Sequence, residues 1–136
     1  MSSRLSLSEG ASEALRHMKG TRQINAVVLR HADLADVLVV ELEANLTHDE
    51  LLGALPAKEP RLVVYELAFA SREGAHRHEQ LLILWRPTAA GDDGGQEESY
   101  TAAYASLKET LGDVRVHLTA EDTDQLTYGK LVDLVR

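Results

Sequence analysis

Six histidines and two close carboxylate pairs are the residues of this 136-residue chain whose chemistry invites a catalytic or metal-binding reading. His76 and His78 stand two apart in a polar stretch. A metal site would need further ligands at regular spacing, and no His-Glu-x-x-His pattern or carboxylate cluster accompanies them. His17, His31, His48 and His117 fall in separate segments, so surface histidines account for the set and no metal is expected. Glu97–Glu98 and Asp92–Asp93 suggest acid–base work. They lie in or beside a glycine-rich segment, not in an apolar pocket that would shift a pKa, and a solvated charged loop explains them. Gly91-Asp92-Asp93-Gly94-Gly95 is no phosphate cradle, because it lacks the Lys-Ser/Thr pair and its acids repel phosphate. There is no Gly-x-Ser-x-Gly, and with no cysteine there is no thiol nucleophile, disulfide or thiolate metal site. A non-enzymatic protein without a cofactor is expected.

The elements that carry these residues follow from periodicity. Ala11, Ala14, Leu15 and Met18 repeat at helical spacing, with Ser8 as N-cap and Gly20 as a stop, so Ser8–Lys19 reads as a helix. Residues 1–7 before it read as a flexible tail. Ile24–Arg30 and Val37–Leu42 are rich in Val, Leu and Ile and flank a polar stretch, which predicts a hairpin. Thr47 and Glu50 form a capping-box pattern ahead of Leu51, Leu52 and Leu55, and Pro56 ends that short helix. Arg61–Ala70 reads as a strand, 71–79 as a polar loop, and Gln80–Arg86 as a strongly apolar strand. Glu97–Leu111 is the longest helix, with Tyr100, Ala103, Tyr104, Leu107 and Leu111 on one stripe and Gly112 as its stop. Val114–Leu118 is a short strand, and Asp124–Val135 a last helix that Gly129 weakens by roughly 1 kcal/mol. The order α-ββ-α-ββ-α-β-α, with apolar strands, implies an α/β (α+β) domain over 1–136: a mixed central sheet sandwiched between helices.

Composition fits one ordinary globular domain, at 44% hydrophobic and 26% charged residues. No apolar run approaches the ~20 residues needed to span a membrane, and no secretory signal pattern is present, so a cytoplasmic protein is expected. A net charge of −8 argues against general nucleic-acid binding, which relies on Lys and Arg against phosphate.

Several segments in this order resemble the actin-depolymerising-factor and cofilin family. Ser3-Arg4-Leu5-Ser6-Leu7-Ser8-Glu9, with a helix ending His17-Met18-Lys19, is similar to the family's tail and first helix. Ala54-Leu55-Pro56 leading through Arg61 to Tyr65 is similar to its "LP" stretch before a strand. Leu81–Pro87 is similar to its central strand, and Asp122–Tyr128 to the entry of its last helix. The resemblance implies the gelsolin-like architecture of that family and a cytoskeletal, monomeric protein that binds actin, as filament and as monomer, and regulates filament turnover by depolymerisation or severing. Two neighbouring branches are alternatives: a glia-maturation-factor-like binder of the actin-related branching complex, and a coactosin-like filament binder that does not depolymerise. His48-Asp49-Glu50-Leu51-Leu52-Gly53-Ala54-Leu55-Pro56 is similar to the glia-maturation-factor branch, Trp85-Arg86-Pro87 to cofilins.

By resemblance, a monomer-type face combines Ser3, Arg4 and Leu5 with Glu98, Tyr100, Tyr104 and Lys108 of the long helix. Where the family carries basic residues, this chain has Gln96-Glu97-Glu98, and Lys108 is the one cation of that helix. Facing an acidic partner, this exchange weakens monomer contacts. An aromatic stripe at helical spacing more often packs in a core, and that reading is preferred for Tyr100 and Tyr104. A filament-type face takes Arg72, Arg77 and His78 from the loop between the central strands, with Lys130 and Arg136 from the last helix. Ser3 stands where many cofilins carry a regulatory phosphorylation site; phosphate there adds about −1.5 to −2 charges. An unmodified serine is the alternative.

Overall fold

The computed structural model describes residues 6–21, 24–31, 37–87, 96–112 and 114–135. Its elements in chain order are β1 (Ser6–Leu7), α1 (Glu9–Thr21), β2 (Ala26–His31), β3 (Val37–Ala44), α2 (His48–Ala54), β4 (Arg61–Ala70), β5 (His76–Trp85), α3 (Gln96–Thr110), β6 (Val116–Ala120), a 3-10 turn (Thr123–Leu126) and α4 (Tyr128–Val135).

The strands form one sheet in the order β1-β3-β2-β4-β5-β6. The two edge pairings, β1 with β3 and β5 with β6, are parallel, and the rest are antiparallel. Because successive side chains of a strand point to opposite faces, the apolar strands serve two cores. Val27, Leu29, Leu62, Val64, Leu82 and Leu84 face α1 and α3, meeting Ala11, Ala14, Leu15, Met18, Tyr100, Ala103 and Leu107. Val63, Tyr65, Leu67, Leu81, Ile83 and Trp85 face α2, the 3-10 turn and α4, meeting Leu51, Leu55, Leu126, Leu131 and Val132. This is the expected mixed sheet between helices.

Local signals read from the sequence are present in atomic form. Ser8 Oγ accepts from the Ala11 N–H at 3.0 Å at the start of α1. Thr47 and Glu50 make both halves of the capping box of α2, at 2.8 and 3.1 Å. Four expectations need correction. The segment read as a tail over 1–7 ends in a strand, since Ser6 and Leu7 pair with Val37 and Leu38. The loop expected over 71–79 is a turn followed by strand, because β4 needs a partner for all ten of its residues and takes it from His76 onward. The strand expected at Val114–Leu118 runs from Val116 to Ala120. The final helix is broken at Thr127, whose extended backbone (φ −63°, ψ 151°) separates the 3-10 turn from α4.

Candidate docking surfaces

The pairing register brings the start of the chain's first strand and the start of α3 to the same end of the sheet. Ser6 lies beside Val37, and Leu38 pairs with His31. The His31 N–H donates to the Tyr100 hydroxyl at 2.6 Å. Arg61 sits at this end too, only 8% exposed. Its Nε donates to Glu41 Oε2 at 3.0 Å, a second guanidinium nitrogen lies 2.9 Å from the same oxygen, and a third donates to the Pro60 carbonyl at 2.7 Å. Glu59 is further off, at 3.7 Å. Arg61 also lies near enough to the Tyr100 hydroxyl to act on it electrostatically. Burial opposes the Arg61 charge, yet the bonded Glu41 and Glu59 outweigh it and the guanidinium is held above its ordinary range. Leu7 lines one groove with Ser12, Leu15 and Arg16 of α1 and with Thr110 and Leu111, so it lies by the C-terminal end of α3 and not by its first turn.

Tyr100 is a correction to the monomer-type face. It is 2% exposed, packed in the core beneath α3, and presents no ring to a partner. Burial raises its pKa, moderated by the His31 N–H and by Arg61. Tyr104 is half-buried against the same core, and burial raises its pKa, moderated by the nearby Thr119 side chain. Lys108 is exposed, with Nζ 4.6 Å from the centre of the Tyr104 ring, a cation–π contact. Glu98 belongs to the first turn of α3. Ser3, Arg4 and Leu5 lie outside the described residues.

The other end of the sheet carries a projecting ribbon. β4 and β5 pair from Arg61–Trp85 to Ala70–His76, but β2 leaves β4 at Tyr65 and β6 joins β5 only at Leu81. Residues 66–70 and 76–80 therefore extend past both neighbours. Their turn is closed by the Ser71 N–H to the Ala75 carbonyl at 2.8 Å and the Gly74 N–H to the Ser71 carbonyl at 2.9 Å, with Gly74 at φ 85°. Arg72, Arg77 and His78 are exposed, the first in the turn and the other two on β5. A groove of about 400 Å³ lies between this tip and the end of α4, lined by Phe69, Arg72, Arg77, His78, Glu79 and Val135. Lys130 is exposed on α4 but turns away to the preceding segment, donating to the Asp124 carbonyl at 2.8 Å. Arg136 lies outside the described residues.

With both ends laid out, sequence comparison decides the family: a model of the cofilin/tropomyosin-type actin-binding proteins matches residues 4–136. The chain belongs to the ADF/cofilin family. Actophorin from Entamoeba histolytica is 26% identical over 134 residues, 97% of this chain and 95% of that protein. A crystal structure of Streptomyces griseoflavus cofilin shares the fold with a TM-score of 0.82 at 20% identity, over 93% of each chain. Coactosin from Entamoeba histolytica does so with a TM-score of 0.82 at 17% identity, over 98% of this chain and 96% of that one.

This ADF/cofilin-family actin-binding protein has no group of three or more His, Cys, Asp or Glu placed to hold a metal among its described residues. No described helix is long and apolar enough to cross a membrane. What the two ends offer chemically is hydrogen bonding, charge and shape. Two contributors were invisible in the sequence. Asn25 donates to the Leu46 carbonyl and accepts from the Leu46 N–H, each at 2.8 Å, and so pins the approach to α2. His48 bonds to Leu126, 78 positions away, and no local pattern announces such a contact.

Proposed function

We propose that this ADF/cofilin-family protein docks on actin filaments through the ribbon tip and the end of α4, and that it regulates filament turnover with weakened contacts to the actin monomer. The observation that carries the reading is the ribbon. It holds Arg72, Arg77 and His78 exposed beyond the sheet, around a groove that α4 closes with Val135. On a chain of net charge −8, this segment is locally neutral instead of acidic: residues 71–79 hold two arginines against two glutamates. Lys130 and Arg136 belong to the same proposed surface. The proposed monomer-type surface joins Ser3, Arg4 and Leu5 to α3, with Glu98, Tyr104 and Lys108. Tyr100 acts there only from beneath, by fixing the start of the helix. Phosphate on Ser3 would add negative charge to a segment that must approach an acidic partner, and a Ser3→Glu variant should bind monomer more weakly than wild type.

A coactosin-like reading, filament binding without depolymerisation, draws on one feature: Lys108 is the single cation of a helix that opens Gln96-Glu97-Glu98. Sedimentation distinguishes the two. Pelleting with filaments plus a rise in supernatant actin supports turnover activity, and pelleting without that rise supports the coactosin-like mode. Binding to the actin-related branching complex alone would move the protein to the glia-maturation-factor branch. Reversing Arg72 and Arg77 to Glu should weaken pelleting by tenfold or more, at roughly 1–2 kcal/mol for each charge brought against an acidic partner. Unchanged pelleting of that variant would remove the ribbon from the interface.

A further inference from the structure

We infer that His48 is a positioning residue for the ribbon-and-α4 surface: with Tyr65 and Tyr128 it clamps the start of α4 to the sheet and so sets where Val135 stands relative to Arg77. The inference rests on the filament reading above for its functional meaning, though not for its geometry.

His48 opens α2 and is half-buried. Its Nε2 lies 2.7 Å from the Leu126 carbonyl oxygen. A carbonyl can only accept, so the neutral ring carries its proton on Nε2. Nδ1 is then an acceptor, and the Tyr65 hydroxyl stands 3.4 Å from it. The ring centre is 5.9 Å from that of Tyr65 and 5.8 Å from that of Tyr128, the second pair edge-to-face. Tyr128 in turn donates its hydroxyl to the Ala68 carbonyl at 2.6 Å. Ala68 lies in the part of β4 beyond its pairing with β2, so this bond engages the ribbon itself. Three rings thus join α2, the 3-10 turn, α4 and the ribbon.

The placement matters because of the break at Thr127. Leu126 lies on one side of it and Tyr128 on the other. Extended backbone between two helical pieces is a hinge, and α4 has only eight residues, too short to hold its direction without tertiary contacts. Leu131 and Val132 seat its inner face in the core. The clamp fixes its first residue. An eight-residue helix is about 12 Å long, so a rotation of ~10° at Thr127 would displace its far end by about 2 Å. That is enough to separate Val135 from the ribbon side chains with which it shares the groove.

The test uses three variants of the full chain. His48→Phe keeps a ring but loses both hydrogen bonds, His48→Gln keeps a donor near the Nε2 position, and Tyr128→Phe removes only the ribbon bond. Hydrogen exchange of residues 128–135 should speed up about tenfold in His48→Phe and Tyr128→Phe, the factor that one hydrogen bond of ordinary net strength supplies. Exchange in β2 and β4 should stay unchanged, His48→Gln should recover most of the protection, and filament pelleting should weaken several-fold in step with exchange. In the wild type, imidazole nitrogen resonances should show the proton on Nε2. Unchanged exchange in both phenylalanine variants, or a proton on Nδ1, overturns the clamp. Faster exchange with undiminished pelleting overturns its link to docking. If wild type does not pellet at all while exchange responds, the clamp stands and the filament reading falls. Should His48→Phe fail to fold, Tyr128→Phe decides alone, because that side chain is 46% exposed and its loss leaves the core intact.

Discussion

Removing one hydroxyl, in Tyr100→Phe, tests whether the buried tyrosine of α3 is a tie between layers or merely filler. The ring is 2% exposed, so phenylalanine keeps its packing. What is lost is the acceptor for the His31 N–H, at 2.6 Å, together with the contact to Arg61. Arg61 keeps Glu41 and the Pro60 carbonyl, so its charge stays compensated. The His31 N–H, at the end of β2, loses its acceptor in a partly buried place, and such a loss costs roughly 1–3 kcal/mol. Unfolding entropy near 2.1 cal/mol/K per residue gives a chain of this length about 0.3 kcal/mol/K, so ~2 kcal/mol lowers the melting midpoint by about 7 °C. Calorimetry should report that drop, and urea titration a lower midpoint with an unchanged slope. Tyr104→Phe is the internal control. Its partner Thr119 is exposed and can turn to water, so a shift of about 2 °C or less is expected. A Tyr100→Phe midpoint within about 1 °C of wild type, or equal shifts for the two variants, would refute the argument.

Three further outcomes follow from the same contacts. Burial raises the pKa of Tyr65, Tyr100 and Tyr104 above the free value of 10.0. Ionisation therefore opposes folding: their contribution is whole below pH 10 and is lost as pH rises through the folded values, so melting midpoints should fall steeply on the alkaline side, and a flat profile from pH 9 to 11.5 would contradict the burial. Asn25→Ala leaves the Leu46 N–H and carbonyl without their 2.8 Å partners and should cost about 2 kcal/mol in urea unfolding, while Asn25→Asp, which keeps the acceptor, should recover part of it. Gly74→Ala meets no atom within 4 Å but must adopt φ 85°, so it should cost about 1–2 kcal/mol through backbone strain alone, and a neutral result would mean the turn relaxes.

The sequence revealed those parts of the fold whose signals are local. Leu81–Trp85 announced a strand buried on both faces because every residue is apolar, and Thr47 with Glu50 announced a helix start because the capping bonds span three residues. The polar half of β5 was hidden for the opposite reason. His76, Arg77, His78 and Glu79 carry no alternation because the buried apolar side chains of the ribbon, Leu67 and Phe69, come from β4, and only the length of β4 demands them as partners. The break at Thr127 is likewise silent in a helical apolar pattern that runs through it. Of the docking surfaces, charge was legible and so was the burial of Tyr100, but not the partners that its hydroxyl meets. Arg72 and Arg77 stand exposed as expected, and Tyr100, on the same stripe as Leu107, packs in the core as that stripe implied, while its bond to the end of β2 left no local signal. Contacts such as His48 to Leu126 depend on the path of the chain through four intervening elements and leave no trace in spacing.

The ribbon also answers an electrostatic difficulty. A chain of net charge −8 approaching an acidic filament is repelled as a whole, and two arginines on its body would do little to change that. Residues 66–70 carry the tip beyond the last β2 pairing by about 17 Å at roughly 3.4 Å per residue. The screening length at physiological salt is about 8 Å, so Arg72 and Arg77 act about two such lengths from the sheet body and feel chiefly their own neighbours. Those neighbours include Glu73 and Glu79, which offset the two arginines, so the tip is neutral where the body is acidic and its position counts for more than its charge. In the proposed docking, a neutral tip at the leading edge meets less repulsion than the acidic body, which favours contact tip-first. In the proposed docking, the groove that α4 closes behind it adds Phe69 and Val135 to a lining of polar and charged side chains, which is why the direction of α4, fixed by the clamp at its first residue, would bear on binding.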